Sequence, residues 1–245
     1  MLIYLIALAT FCATMIGRLI ALKLRDKLHL ILGFSAGAVM GVAFFELLPE
    51  AIALGSKYHA PSTLALYVAG GFLLYLILDR AMPFHGNAPG VECEHGHMHT
   101  KPYRASLGAA SLSIHSFLDG VAIGLAFNIS SAIGTVVTMA VLMHDFSDGM
   151  NTMNMVLKNG GERRTALRWL TADAIAPTLG ILSTFLFVIP EAQFGLLLSV
   201  FAGLFLYIGA SDLIPESYHS HPKALTTVMT LLGMATIYAA TVIAG

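Results

Sequence analysis

The sequence predicts an all-α, polytopic membrane protein with eight transmembrane helices. Of its 245 residues, 57% are hydrophobic and only 11% are charged, and the mean hydropathy is +0.78. Apolar stretches of about 20 residues follow one another without the alternation of barrel strands, and only helices or closed barrels satisfy their backbone in lipid. This composition excludes a soluble globular domain. The two cysteines, Cys12 and Cys93, suggest no disulfide.

The eight spans alternate with loops whose positive charge is uneven. We expect the spans at about residues 1–22, 30–54, 62–80, 105–127, 132–157, 169–189, 193–215 and 224–244. With the N-terminus outside, only Lys57 of the 13 Lys and Arg residues lies outside, which is the cytoplasmic bias typical of membrane proteins. The first span has no basic residue ahead of its apolar core, which indicates an uncleaved helix. The prediction is one transmembrane domain, 1–245, in the plasma (inner) membrane with both termini extracytoplasmic.

The second and seventh spans share a pattern that predicts an inverted repeat. At an offset of 166 residues, Phe34–Glu50 aligns with Val200–Glu216, with Glu46 opposite Asp212. The two spans run in opposite directions in this topology, as in the inverted repeats of many secondary transporters. We therefore expect helices 1–3 and 6–8 to be related around a central hairpin of helices 4 and 5. The alternative is that Leu-Xaa-Pro-Glu merely marks two helix ends.

The third span and the loop after it contain two further features. A Gly70-Gly71 pair in the span is suited to close helix packing. The loop at about 81–104 is polar, is interrupted by Gly and Pro, and is dense in side chains that bind metals. These are His85, Cys93, His95, His97 and His99. The loop is either a solvated linker or a cytosolic segment that collects or senses metal, and we do not expect it to be the translocation site.

The fourth and fifth spans repeat one polar pattern within apolar sequence. Residues 115–120 read His-Ser-Phe-Leu-Asp-Gly, and residues 144–149, 29 positions later, read His-Asp-Phe-Ser-Asp-Gly. Positions i and i+4 share a helix face, so each copy presents an imidazole together with a carboxylate. Each Asp at mid-membrane costs about 2.5–3.5 kcal/mol unless it has a partner. Asp119, Asp145 and Asp148 therefore predict an intramembrane cation site.

The sixth and eighth spans differ in their polar content. Asp173 lies near the inner end of the sixth span, with Pro177 one turn later, where a proline frees backbone carbonyls. Asp173 is either a further cation ligand or an interfacial residue that caps the helix or pairs with Arg168. The eighth span has no ionisable residue, and we expect it to pack against the protein or to face lipid.

These motifs resemble those of the ZIP family of divalent metal transporters. The patterns at 115–124 and 144–149 resemble that family's fourth- and fifth-span motifs, and those at 37–50 and 202–216 look like its second- and seventh-span motifs. The resemblance implies eight spans, a binuclear site between the fourth and fifth, metal movement into the cytoplasm and a homodimer. The implied metal positions are His115, Ser116, Asp119, His144, Asp145, Asp148, Asp173 and Glu46.

This chain departs from the family pattern at four of these positions. Ser116 stands where many members have Asn, and Asp145 and Asp148 stand where Glu is frequent. A shorter carboxylate reaches one methylene less far, which leaves open which metal is preferred and whether both sites fill. Glu46 replaces the His of several members with a harder ligand.

The mechanism we expect is a series of ligands along one path. Glu46 and Glu50 attract the cation at the outer mouth, the motif residues bind it at mid-depth, and Asp173, Asp212 and Glu216 draw it inward. Zn²⁺ is the expected transported substrate, with Fe²⁺, Mn²⁺ or Co²⁺ as alternatives, and no catalytic cofactor is expected.

Two other functions compete with a carrier. One is a cation channel that uses the same acids, and the other is an intramembrane zinc-dependent hydrolase, although the His-Glu-Xaa-Xaa-His motif is missing. The sequence contains no nucleotide-binding loop, so we do not expect ATP to drive transport directly. No nucleotide and no nucleic acid is an expected partner.

Overall fold

The computed structural model describes residues 2–23, 27–81, 102–158, 161–186, 189–217 and 223–244. Within these ranges the chain forms helices and no strand, in eight segments that we number α1 to α8. Six of them are regular α-helices: α1 (Leu2–Lys23), α3 (Pro61–Ala81), α4 (Pro102–Ile129), α5 (Ser131–Lys158), α6 (Arg163–Ser183) and α8 (Lys223–Ala244). The remaining two, α2 (residues 28–55) and α7 (residues 191–217), have interrupted helical geometry. The prediction of an all-α polytopic membrane protein is confirmed.

Six helices of the described chain are long and apolar enough to cross a membrane. They lie in α2, α3, α4, α6, α7 and α8. Two shorter apolar helices among the described residues, Leu5–Ile16 and Ser131–Asp145, lie in α1 and α5. The number of eight spans therefore stays a prediction.

Both interrupted helices contain a π-helical turn just before a proline. In α2 the order is Leu28–Val42, the π turn Ala43–Leu47 and Leu48–Gly55. In α7 it is Glu191–Tyr207, the π turn Ile208–Leu213 and Ile214–Ser217. The prolines, Pro49 and Pro215, have no N–H, and the ring of a proline clashes with the carbonyl four residues earlier, so the helix widens before it. The two turns coincide at the 166-residue offset, and Glu46 and Asp212 lie in them.

The helices pack in two groups. In the first group, α4 and α5 contact each other, α6 contacts both, and α1 packs against α5 and α6. In the second group, α2 packs against α8, α3 packs against α7, and α2 also contacts α7. The helices α2 and α5 join the two groups. Only Ser130 separates α4 from α5, and its Oγ accepts a hydrogen bond from the Ile133 N–H as an N-cap.

Glycines form the closest helix contacts of the second group, and these contacts occur twice. A Cβ on Gly37 of α2 would overlap the carbonyl of Thr230 in α8. A Cβ on Gly203 of α7, 166 residues later, would overlap the carbonyl of Val68 in α3. The packing of α2 on α8 thus corresponds in position to the packing of α7 on α3.

The reciprocal contacts follow the same correspondence. Gly233 of α8 lies against Phe34 of α2, and Gly71 of α3 lies against Val200 of α7, again 166 residues from Phe34. Gly70 differs, because a Cβ there would meet nothing within 4 Å. The sequence-based expectation of close packing is therefore confirmed for Gly71 and wrong for Gly70, since consecutive residues of a helix face different directions.

We expect Gly71→Ala to destabilise the fold and Gly70→Ala not to. The added methyl at position 71 meets the Val200 backbone, and overpacking of this kind costs about 1–3 kcal/mol. At position 70 the methyl enters open space, and Ala favours a helix over Gly by up to about 1 kcal/mol. Thermal unfolding of the purified protein in detergent measures the difference. Equal unfolding temperatures for the two variants would contradict the close contact at Gly71.

Candidate metal centre

Four ligand-type side chains from two neighbouring helices converge in the first group. His115 and Asp119 lie on α4, and His144 and Asp148 lie on α5. One ligand atom from each lies within 4.8 Å of all the others, and all four residues are buried. The i, i+4 spacing of each motif aligns its imidazole with its carboxylate, and the hairpin brings the two pairs together.

The motif glycines explain how the neighbouring helices come so close. Gly120 follows Asp119, and a Cβ there would overlap the carbonyl of Pro177 in α6. Gly149 follows Asp148, and a Cβ there would overlap the carbonyl of Thr14 in α1. Each copy of the motif therefore supplies its two ligands and also the contact that packs its helix against the next.

In the cluster, the Nε2 atom of each histidine lies within 3.9 Å of an oxygen of both carboxylates. Asp119 Oδ2 lies 3.0 Å from His144 Nε2 and 3.3 Å from His115 Nε2. Asp148 Oδ2 lies 3.5 Å from His115 Nε2 and 3.9 Å from His144 Nε2. Both imidazoles thus direct the same nitrogen toward the same two carboxylates.

The other ring nitrogen of His144 fixes which nitrogen can bind a cation. Nδ1 lies 3.0 Å from the carbonyl oxygen of Ala140, and a carbonyl can only accept, so Nδ1 carries the proton and donates it. In the neutral ring the Nε2 lone pair then faces Asp119. Either a proton or a metal ion between Nε2 and the carboxylate satisfies both groups. Backbone hydrogen bonds of this kind commonly orient metal-binding histidines.

The corresponding nitrogen of His115 faces a side chain of the second helix group. His115 Nδ1 lies 3.2 Å from the hydroxyl oxygen of Tyr75 in α3. The two rings meet edge to face, with centroids 5.7 Å apart and an interplanar angle of 83°. Sequence reasoning missed Tyr75, because a tyrosine in an apolar span carries no motif that distinguishes it from packing.

Ser116 and Asp173 lie beside the cluster and are bonded to each other. Ser116 Oγ donates to Asp173 Oδ1 at 2.8 Å, and Thr152 Oγ1 of α5 donates to Asp173 Oδ2 at 2.9 Å. All three are buried, and Asp173 is close enough to Asp148 and His115 for electrostatic interaction. The predicted alternative pairing of Asp173 with Arg168 is wrong, since Arg168 is exposed whereas Asp173 is fully buried. Thr152 was not predicted, because it lies outside both motif copies.

Asp145 differs from the other carboxylates of the site because both of its oxygens are buried without a hydrogen bond in the described chain. Its side chain is fully buried, and neither carboxylate oxygen has a hydrogen-bond partner among the described residues. Its electrostatic neighbours are the imidazole of His144 and three other carboxylates, those of Asp119, Asp148 and Asp173. A buried carboxylate without a partner is strongly unfavourable, so this oxygen pair fits a site that a cation occupies.

The other predicted ligands lie outside the four-residue cluster. Glu46 is buried in the π turn of α2, and its Oε2 has no hydrogen-bond partner in the described chain. Glu50 is half-buried in the last part of α2, and Asp212 is half-buried in the π turn of α7. Glu216 belongs to the final turn of α7, but its side chain lies outside the described residues. The loop ligands His85, Cys93, His95, His97 and His99 also lie outside them.

Comparison with known proteins assigns the family. The family model described as "ZIP Zinc transporter" matches residues 1–241. The chain belongs to the ZIP zinc transporter family. It is therefore a member of a family of transporters, not an enzyme, and zinc is what that family transports rather than a catalytic cofactor.

The relatives of this ZIP-family chain include zinc transporters from a bacterium and from animals. Zinc transporter ZupT of Corynebacterium aurimucosum is 26% identical over 91% of this chain and 89% of its own length. Zinc transporter zipt-7.1 of Caenorhabditis briggsae is 24% identical over 79% of this chain. Zinc transporter ZIP13 of Pongo abelii is 26% identical over 76% of this chain. The match spans only 62% and 57% of these two animal proteins.

We expect Asp145→Asn to leave the ZIP fold as stable as the wild type, or more stable, when a chelator is present. The amide keeps the shape of the carboxylate and removes a buried charge that has no partner. Thermal unfolding in detergent with excess chelator measures this effect. Asp173→Asn is the comparison: it also removes a buried charge, but it weakens the hydrogen bonds from Ser116 and Thr152, so it should unfold at a lower temperature than Asp145→Asn. A large loss of stability in Asp145→Asn alone would mean that Asp145 has a structural partner.

Proposed function

We propose that this chain is a secondary transporter that moves divalent transition-metal cations, Zn²⁺ foremost, into the cytoplasm. The observation that carries the proposal is the buried cluster of His115, Asp119, His144 and Asp148 in a chain of the ZIP zinc transporter family. Buried imidazoles and carboxylates with Nε2 and Oδ2 atoms converging on one point suit a divalent cation better than any organic substrate.

The size of the cluster suits zinc. Bonds of about 2.0–2.2 Å from tetrahedral Zn²⁺ to nitrogen and oxygen place the ligand atoms about 3.4 Å apart. The four separations between Nε2 and Oδ2 atoms run from 3.0 to 3.9 Å around that value, and all four ligand atoms lie within 4.8 Å of one another. Fe²⁺, Mn²⁺ and Co²⁺ accept the same ligands, so they remain candidate substrates.

The charge of the site supports a second ion beside the first. The buried carboxylates of Asp119, Asp145, Asp148 and Asp173 would balance two divalent cations. Ser116, Asp145 and Asp173 would serve the second ion, with Asp148 shared between the two. The two hydroxyl donors of Asp173 could turn aside as the carboxylate binds the ion.

The path that we propose runs from Glu46 and Glu50 outside, through the cluster, to Asp212 and Glu216 inside. The coincident π turns and the paired glycine contacts of α2 and α7 favour an inverted repeat, which would alternate access to a site at mid-membrane. Helices α1–α3 would match helices α6–α8 around the α4–α5 hairpin. The distribution of Lys and Arg supports extracytoplasmic termini. We propose that the membrane is the plasma (inner) membrane.

Two further parts of the proposal come from the sequence. A homodimer is proposed, as the family resemblance implies. The loop at about 81–104 would bind metal on the cytosolic side and not on the transport path, with His85, Cys93, His95, His97 and His99 as its ligands. The competing hydrolase is not supported, since the chain belongs to a family of transporters.

We expect His144→Ala and Asp148→Ala each to abolish Zn²⁺ entry into proteoliposomes that contain a zinc-sensitive dye. Each variant removes one of the four side chains whose ligand atoms converge, so the ion loses a direct bond at the centre of the proposed path. The matched control is His59→Gln, which changes a histidine outside the cluster whose Nε2 contacts the Ala192 carbonyl. The control should transport at close to the wild-type rate.

The kinetics of Zn²⁺ entry in the same proteoliposomes separate a carrier from a channel. Saturable flux that is insensitive to voltage supports a carrier, whereas flux that rises linearly with driving force would favour a channel. Folding of each variant is checked by its elution on size exclusion. If folded His144→Ala and Asp148→Ala transported Zn²⁺ at the wild-type rate, the cluster would not lie on the path.

Transport is expected to slow on acidification from about pH 7 to about pH 5. Metal binds the neutral imidazole, so protons compete with the ion for the Nε2 atoms and binding is lost as the pH falls. The measurement is the initial rate of Zn²⁺ entry at fixed free metal concentration and fixed membrane potential. A rate that stays constant or rises over this range would count against histidine ligation.

A further inference from the structure

The contact between Tyr75 and His115 joins the candidate metal centre to the second helix group. Tyr75 lies on α3, which packs against α7, whereas His115 lies on α4 in the first group. The Tyr75 ring also lies against Tyr207 of α7, with centroids 5.2 Å apart. The Tyr207 hydroxyl points elsewhere and donates to Asp79 Oδ2 at 2.8 Å. Of these two adjacent tyrosines, the hydroxyl of Tyr75 is the one that meets the cluster.

The two cluster histidines are held by chemically different partners. His144 Nδ1 faces a carbonyl of its own helix, which can only accept a hydrogen bond. His115 Nδ1 faces a hydroxyl, which can accept or donate. The orientation of His144 is thus fixed within α5, while that of His115 depends on a side chain from another helix.

The hydroxyl is not required by packing at this point of the fold. The glycine contacts of α3 and α8 correspond at an offset of 162 residues, so Tyr75 corresponds to Ile237 of α8. Likewise Tyr207 corresponds to Gly41 of α2 at the offset of 166 residues, and Ile237 packs directly on Gly41. The apolar side chain of Ile237 therefore fills on α8 the place that Tyr75 fills on α3. Only the α3 residue, which faces His115, has a hydroxyl there.

We propose that Tyr75 is a positioning residue for His115. An Nδ1–H donated to the Tyr75 oxygen leaves the Nε2 lone pair directed at Asp119 and Asp148, the geometry in which His115 binds a cation. Without the hydroxyl, the imidazole is free to rotate about its χ2 torsion and to exchange the roles of its nitrogens. The hydroxyl thus raises metal affinity without touching the metal, and the proposal rests on the transport function proposed above.

The test is Tyr75→Phe, which removes the hydroxyl and keeps the aromatic ring. The dissociation constant for Zn²⁺ is measured on the full-length protein in detergent, in competition with a chelator of known affinity. We expect it to rise by about 10-fold, the lower end of the range for partners of metal-binding histidines. In proteoliposomes, the KM for Zn²⁺ should rise while the maximal rate stays within about twofold of wild type.

Tyr207→Phe is the matched control. It removes the hydroxyl of the neighbouring tyrosine, which contacts Asp79 and not the cluster, and it should leave the dissociation constant unchanged. The effect must also act through His115, so Tyr75→Phe should have no further effect on Zn²⁺ affinity in a His115→Ala background. A merely structural role of Tyr75 would lower affinity in both backgrounds.

Three outcomes would overturn the proposal. These are an unchanged dissociation constant in Tyr75→Phe, an equal loss of affinity in the His115→Ala background, and a loss of maximal rate or thermal stability without a loss of affinity. Failure of the proposed function looks different. In that case the wild-type protein itself would neither bind nor transport Zn²⁺, Fe²⁺ or Mn²⁺, whatever residue stands at position 75.

Discussion

The structure depends on how buried carboxylates are compensated. Asp119, Asp145, Asp148 and Asp173 lie within one group of helices, and their charge contacts with basic side chains in the described chain are with His115 and His144. An Asp at mid-membrane that has no partner costs about 2.5–3.5 kcal/mol even on the more lenient scale, and neither oxygen of Asp145 has a hydrogen-bond partner in the described chain. A cation bound at the proposed site would offset that cost. The helices that carry the acids are held close by glycines at the motif positions themselves.

The centre of the site could be predicted from the sequence, because each motif places its two ligands about one helical turn apart. A spacing of four residues on a helix fixes a shared face before any tertiary contact forms, so the pairing of His115 with Asp119 and of His144 with Asp148 followed from the motif. A connection as short as Ser130 then leaves only a hairpin as the way to bring the pairs together. The all-α membrane fold was equally predictable, since it follows from composition averaged over the chain.

Other parts of the site could not be read from the sequence, because they depend on contacts between distant segments. Thr152 and Tyr75 approach Asp173 and His115 from positions outside any motif, and a Thr or Tyr in an apolar helix is more often there for packing. The π turns were missed for another reason. Pro49 and Pro215 marked the places, but a proline can end, kink or widen a helix, and its surroundings decide which. The tertiary structure thus supplied the partners of ligands that the sequence had already identified.

The proposed inverted repeat and the candidate site place different demands on the structure. The contacts of Gly37 and Gly203 are equivalent in position, and in an inverted repeat such equivalent packing would keep the inward-open and outward-open conformations similar in free energy. A transported ion, however, must bind and then leave, so its ligands cannot all be held by one rigid group. His144 is anchored within α5, whereas His115 is oriented by Tyr75 from the other group. A relative movement of the two groups would break only the second contact, so one imidazole would keep its orientation while the other lost its support. The site would then hold the ion less tightly after the movement, without any change in the ligands themselves.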